Sequence, residues 1–428
     1  MRGFKVWIAL VMAAALATAV VGCSKPAQQP ENSGTPAGKQ VELRFLFPEY
    51  SDKTRGLMEQ VVKDFNEANK GKIHVTLETS PWDKLHDKLA VTMSGNQAPD
   101  VFGYATRWVS EFAELGQLEP LDPYLTPQFK GQFIDRLFAA AAYSPKATGK
   151  EATYGLPAAV SARMLFYRKD LFEKAGVKAP ANWEELLDAA KKTTNAPNVY
   201  GLGVPASGIE VDTFFLYFLW NNGGEILTPD GKAALNSAEG VEALEFLVKL
   251  VNEKGSQPKP TGFTREQVIE MFKAGQLAMY PTGPWLNTMI QRDNPSLSYA
   301  IAPFPSNKGK ALATVGVTDS LGMWAKGANK KEAWQFIEFL YQDKYRQQFD
   351  EVEAMLPEKR AVANSAAFTK AELKPFVDAL SSAKFVPHHP KFENIQQLMT
   401  VAVQKALTGE ATPKAALDEA AQKIDALK

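Results

Sequence analysis

Cysteine is nearly missing from this chain: the 428 residues hold one, Cys23. A disulfide framework is therefore excluded, and the folded part must rest on hydrophobic cores of ordinary size. An excess of either charge is missing as well, with 48 Lys and Arg against 48 Asp and Glu. No Lys/Arg block is long enough to make a nucleic-acid surface, so no nucleic-acid partner is expected. Histidine is scarce: His74, His86, His388 and His389 are the four. Only the last two are adjacent, and they lack a third ligand at metal-binding spacing, so neither a metal nor any other cofactor is expected. After Cys23, no apolar run approaches the roughly 20 residues a bilayer-spanning helix needs.

What is present begins with Arg2 and Lys5, an apolar run from Val6 to Val21, then Gly22 and Cys23. A basic start, a short apolar core and a small residue before the cut read as a secretory signal. The stretch resembles the bacterial lipoprotein signal, whose cysteine takes lipid after cleavage. That resemblance implies a signal peptide over 1–23 and a chain acylated at Cys23. It would be anchored to the bilayer outside the cytoplasmic membrane, on the periplasmic or extracellular face. Residues 24–40, dominated by Pro, Gln, Asn, Ser, Gly and Lys, bury too little apolar area to offset their ordering entropy and read as a flexible tether.

Folded sequence starts at Val41, where Val41, Leu43, Phe45 and Phe47 alternate as a strand. Leu57, Val61, Val62 and Phe65 then share one face of a helix, and Ile73, Val75 and Leu77 make a second strand. Strand, helix, strand predicts an open α/β sheet. The pattern continues through a helix on Leu85, Leu89 and Met93, a strand at Val101-Phe102 and a helix on Trp108, Phe112 and Leu115. Strands are predicted again at Leu165–Tyr167, Leu202–Val204 and Leu277–Tyr280, with helices at Trp183–Lys192, Gly240–Val251, Leu398–Leu407 and Ala415–Leu427. The roughly 390 residues from Val41 onward exceed one core and suit two domains.

Several blocks, in order, carry a family resemblance: Gly95-Asn96-Gln97-Ala98-Pro99-Asp100-Val101; Tyr154-Gly155-Leu156-Pro157 with Leu165 to Phe172; and Trp183-Glu184-Glu185-Leu186. Phe272-Lys273-Ala274-Gly275 to Met279 with Gly283-Pro284-Trp285 is another, and Leu407-Thr408-Gly409-Glu410 with Ala415 to Asp418 closes the series. The chain from Val41 to Lys428 resembles the extracellular solute-binding proteins of ABC importers, in the sugar-binding group that includes maltose-binding protein. The resemblance implies a two-lobed α/β periplasmic-binding-protein fold with a central cleft and three crossings between lobes. Lobe 1 would hold 41–160 and 282–318, lobe 2 would hold 162–280 and 322–428, and hinges would lie at Val160–Arg163, Tyr280–Pro281 and Asp319–Gly322. It also implies a monomer that closes on a mono- or oligosaccharide and delivers it to separate permease subunits.

A sugar ring needs aromatic planes for its C–H faces and carboxylates, amides or Arg for its hydroxyls. Open α/β sheets place such groups beyond the carboxyl ends of their strands. The candidates after the first three strands are Glu49 and Tyr50, Trp82 and Asp83, and Tyr104 and Arg107. Trp108 has equal claim to a helix core. Arg163 and Asp319 are added from the expected hinges. Asp212 opens a helix whose Phe214, Phe215, Tyr217 and Phe218 must be mostly core. Trp285 belongs to the Gly-Pro-Trp segment that the resemblance places at the cleft mouth. Phe392 lies near a position where maltose-binding protein stacks an aromatic residue, though a Phe here departs from that protein's Trp. A glycoside hydrolase would need two carboxylates at roughly 5 to 10 Å across the cleft. Nothing fixes such a separation for Glu49, Asp83 and Asp212, so the chain is expected not to be an enzyme. The alternative is the same fold tuned to a polyol phosphate, a polyamine or a peptide.

Overall fold

The computed structural model describes residues 39–368 and 373–427; the expected signal peptide, Cys23 and nearly all of the tether lie outside them. The first sheet is built on Val41–Glu49, paired in parallel with Ile73–Pro81 from Val41–Ile73 through Glu49–Pro81. On its other side it pairs in parallel with Val101–Ala105. Thr314–Met323 then runs antiparallel to Val101–Ala105. Its far edge is shared by Leu156–Ala162 and Ala383–Lys384. Both faces are covered, which explains why Phe45, Leu46 and Phe47 are buried in succession instead of alternating with polar residues. Phe45 and Phe47 join a core with Met58, Val61 and Phe65 of the Thr54–Ala68 helix. Leu46 faces a second core with Leu85, Leu89 and Phe112.

The second sheet has the order Tyr299–Ala302, Met164–Arg168, Leu277–Thr282, Tyr200–Leu202. It packs against the Val211–Asn221 helix, every residue of which is buried, and against Trp183–Thr193, Ala238–Asn252 and Phe392–Thr408. At the end of the chain Gly409, at φ 75°, stops Phe392–Thr408. Thr412 then caps Pro413–Asp425 by accepting the Ala415 N–H at 3.2 Å, a helix start of the kind Thr-Pro favours. The result is two α/β lobes facing each other across a cleft.

The lobe boundaries drawn from the sequence need correction at two places. Segment 282–318, expected in lobe 1, instead carries Tyr299–Ala302 as a partner of Met164–Arg168 in the second sheet. Leu286 and Ile290 of the Trp285–Asp293 helix belong to the core around the second sheet, with Phe166 and Phe272. Tyr280–Pro281 is consequently no hinge, since Leu277–Thr282 stays paired with Met164–Arg168 to its last residue. Conversely, Lys330–Leu340 and Asp343–Glu353, expected in lobe 2, bury Phe336, Ile337, Leu340, Tyr345 and Phe349 in the first lobe. An apolar helical stripe states that a helix packs, but carries no information about which sheet receives it.

Candidate functional site

Between the lobes lies a cavity of about 330 Å³ whose lining includes Tyr50, Trp82, Arg163, Glu210, Trp285 and Asp319. A neighbouring chamber of about 350 Å³ is lined by Arg107, Asp212, Thr318, His388 and Phe392 among others. The two share Ala105, Arg107 and Val317. Local structure explains the delivery of these groups. Tyr50 follows the Val41–Glu49 strand, Trp82 opens a helix where Ile73–Pro81 ends, and Arg107 lies in the 3-10 turn after Val101–Ala105. Three parallel strands therefore present their carboxyl ends to one crevice. Arg163 is the single residue between Leu156–Ala162 of the first sheet and Met164–Arg168 of the second.

The polar groups form a connected set. The Tyr50 hydroxyl donates to Asp319 Oδ2 at 2.9 Å. Burial pushes the Asp319 carboxyl up to about 7, against the pull of that hydrogen bond and of Arg107 and Arg163. Arg163 donates through Nη1 to Ser161 Oγ at 2.8 Å and through Nη2 to Glu210 Oε1 at 2.9 Å. Arg265 Nη1 reaches the same Glu210 oxygen at 3.1 Å. Burial alone would raise the Glu210 carboxyl, but Arg265 and Arg163 outweigh it and hold it below the ordinary carboxylate range. Glu210 adopts φ 65°, a left-handed conformation that a non-glycine residue keeps only when its surroundings over-determine it. Arg107 Nε donates to Glu393 Oε1 at 2.8 Å, and the Trp108 indole N–H donates to that same oxygen. Gln396 Nε2 donates to Asp212 Oδ1 at 3.0 Å, and burial raises the Asp212 carboxyl to about 6.

The aromatic groups are equally ordered. Tyr50 and Trp82 meet edge to face with centroids 5.3 Å apart. The Arg163 guanidinium carbon sits 4.5 Å from the centroid of Trp285, a cation–π geometry. Gly283 makes room for that indole, because a Cβ there would come within 2.1 to 2.5 Å of three ring carbons.

Of the residues singled out in the sequence, Tyr50, Trp82, Arg107, Arg163, Trp285 and Asp319 converge on the first chamber. Asp212 and Phe392 join Arg107 around the second. Three stand elsewhere. Glu49 accepts from the Thr79 hydroxyl and from Arg55. Asp83 is exposed beside Lys84 at 3.4 Å. Tyr104 is fully buried and donates its hydroxyl to the Tyr154 carbonyl at 3.1 Å; strand alternation puts it on the face of Phe102, while Ala105 faces the cleft. Glu210, Arg265, Ser161 and Gln396 escaped the sequence reading. Glu210 lies two residues before Asp212, and Gln396 one helical turn after Phe392, so proximity to chosen residues was the available signal.

Residues 50–347 match the family described as bacterial extracellular solute-binding protein. The chain belongs to this family. A Brucella abortus (strain 2308) relative is 38% identical over 90% of this chain and 93% of its own. The galactooligosaccharide-binding protein of Bacillus subtilis (strain 168) is 24% identical over 94% of both chains. A crystal structure of an ABC transporter solute-binding protein from Thermotoga lettingae, bound with α-D-tagatose, superposes with a TM-score of 0.81. It is 28% identical and covers 90% of this chain and 99% of that one. Membership makes this chain an extracytoplasmic solute-binding protein and not an enzyme. Among the described residues no group of three or more His, Cys, Asp or Glu is placed to hold a metal, and no helix is long and apolar enough to cross a membrane.

Proposed function

We propose that this solute-binding protein captures a neutral sugar or short oligosaccharide between its lobes and hands it to the permease of an ABC importer. The observation that carries this reading is the pairing of aromatic rings with an internally neutralised polar set. Tyr50, Trp82 and Trp285 supply planes for C–H faces, while Asp319, Arg163 and Arg107 supply hydroxyl partners. Arg163 and Arg265 share Glu210, and Arg107 is held by Glu393. Cations already engaged by carboxylates favour a neutral solute over a polyol phosphate, which would draw on free cations or N–H groups. The galactooligosaccharide and tagatose named for the relatives point the same way.

The mechanism we infer is closure about three adjacent passages of chain, at Arg163, Thr314–Thr318 and Leu356. Support comes from the hydrogen bonds that tie these strands together: Arg163 N–H to the Val315 carbonyl at 3.1 Å, and Leu356 N–H to the Val160 carbonyl at 2.7 Å. Adjacent passages restrict the lobes to rotation about a shared axis. A solute moves the open and closed populations only by its difference in affinity for them. In this reading lipid on Cys23 tethers a monomer beside the permease, with 24–40 as the leash.

Calorimetry and thermal shift over a panel of neutral sugars test the solute class, because a ligand of the native state raises Tm by linkage. Saturable one-site binding supports the reading; silence across that panel with a response to phosphorylated solutes, polyamines or peptides overturns it. Small-angle scattering with and without saturating ligand tests closure, which an unchanged radius of gyration in fully bound protein would refute.

A further inference from the structure

Gln396 lies on the first turns of the Phe392–Thr408 helix and lines the cleft. Its Nε2 is committed to Asp212 Oδ1. Its Oε1 is shielded from solvent and makes no hydrogen bond among the described residues. The orientation of this amide is fixed by chemistry: the reverse placement would set the Gln396 carbonyl oxygen against the Asp212 carboxylate, which only accepts. An unpartnered donor lies on the same cavity. Arg163 is 2% exposed and its Nε makes no hydrogen bond, although both Nη atoms do. A buried polar atom without a partner opposes folding, and a hydroxyl, which both donates and accepts, can meet either group.

We propose that Gln396 is a specificity-determining residue of the cleft, its Oε1 accepting the hydrogen bond of one particular solute hydroxyl while Asp212 holds the amide in the accepting orientation. This assignment rests on the sugar reading above and deepens it. It makes Gln396 the reader of one position on the ring, where an aromatic platform tolerates any sugar face. A site built to pair a hydroxyl rejects an analogue lacking it more strongly than an apolar pocket rejects an added group.

The test is calorimetry at pH 7.5 on the purified chain and on Gln396→Met, which is similar in length and has no strong acceptor. The probes are α-D-tagatose, a galactooligosaccharide and maltose, followed by the monodeoxy forms of whichever binds best. Gln396→Met should bind the parent sugar about tenfold more weakly. For one deoxy position the wild type should fall by a similar factor while the variant falls no further, the signature of a single coupled pair. Discrimination at every other position should be unchanged. Gln396→Asn, which withdraws the acceptor by one methylene, gives the same comparison without added apolar bulk. Melting temperatures of the ligand-free proteins report whether each variant folds. Parent affinity equal to wild type in both variants overturns the assignment, as does an equal loss at every deoxy position, which marks a structural role. A wild type silent across the whole neutral-sugar panel overturns the sugar reading and this assignment together.

Discussion

Asp319→Asn should stabilise the ligand-free protein at pH 8 while weakening its hold on solute. Asp319 is 9% exposed, and burial raises its carboxyl to about 7. An unfolded Asp titrates near 3.9. From about pH 4 to 7, then, the native state keeps a proton that the unfolded state has released. By linkage, stability falls as pH rises through that window and is level above it. A shift of about three units at 1.36 kcal/mol each gives about 4 kcal/mol as the ceiling for this one group. Asparagine does not titrate, and its carbonyl oxygen can still accept from Tyr50. The variant should therefore match the wild type near pH 4 and exceed it by up to about 4 kcal/mol at pH 8. Glu353 and Asp212 also have raised carboxyls, so the wild-type slope is a sum, and the difference between the two proteins isolates Asp319. Urea unfolding at pH 4.5, 6, 7 and 8, followed by fluorescence and circular dichroism together, reads it, with coincident transitions as the condition for using one free energy. Parallel stability curves for the two proteins would refute the reasoning. The accompanying loss of affinity above pH 7, from removing a charged acceptor, would be the usual exchange of stability for function at a binding site.

Trp285→Ala removes the indole beneath Arg163 and should weaken sugar binding at least tenfold, about 1.4 kcal/mol; an unchanged Kd by calorimetry would refute a role in the cleft. Arg346→Met should cost about 3 to 5 kcal/mol by urea unfolding at pH 7, because it strips the partner from buried carboxylates. Arg346 is 1% exposed and pairs with Glu358 at 2.6 Å and Asp350 at 3.6 Å, and a wild-type unfolding midpoint would refute that dependence. Cys23→Ser should abolish incorporation of labelled fatty acid in cells, and label that persists would refute lipidation there.

The sequence by itself carried the local chemistry. Alternation from Val41 to Phe45 and the helical stripe on Leu57, Val61 and Phe65 marked the first strand and helix, because periodicity is a property of neighbours along the chain. Residues at strand ends, such as Tyr50, Trp82 and Arg107, were legible for the same reason: in an α/β sheet, position after a strand already implies position at the crevice. Tertiary structure decided the rest. It sent Tyr299–Ala302 to the second sheet and Lys330–Glu353 to the first lobe, since strand pairing and helix docking join segments that share no local signal. It turned Tyr104 inward and put Ala105 at the cleft, a difference of one residue in strand phase that reverses the face. It also drew Glu210, Arg265 and Gln396 into the site. Charge pairing inside a cleft depends on which distant carboxylate meets which guanidinium in a low-dielectric space, and only the packed lobes fix that.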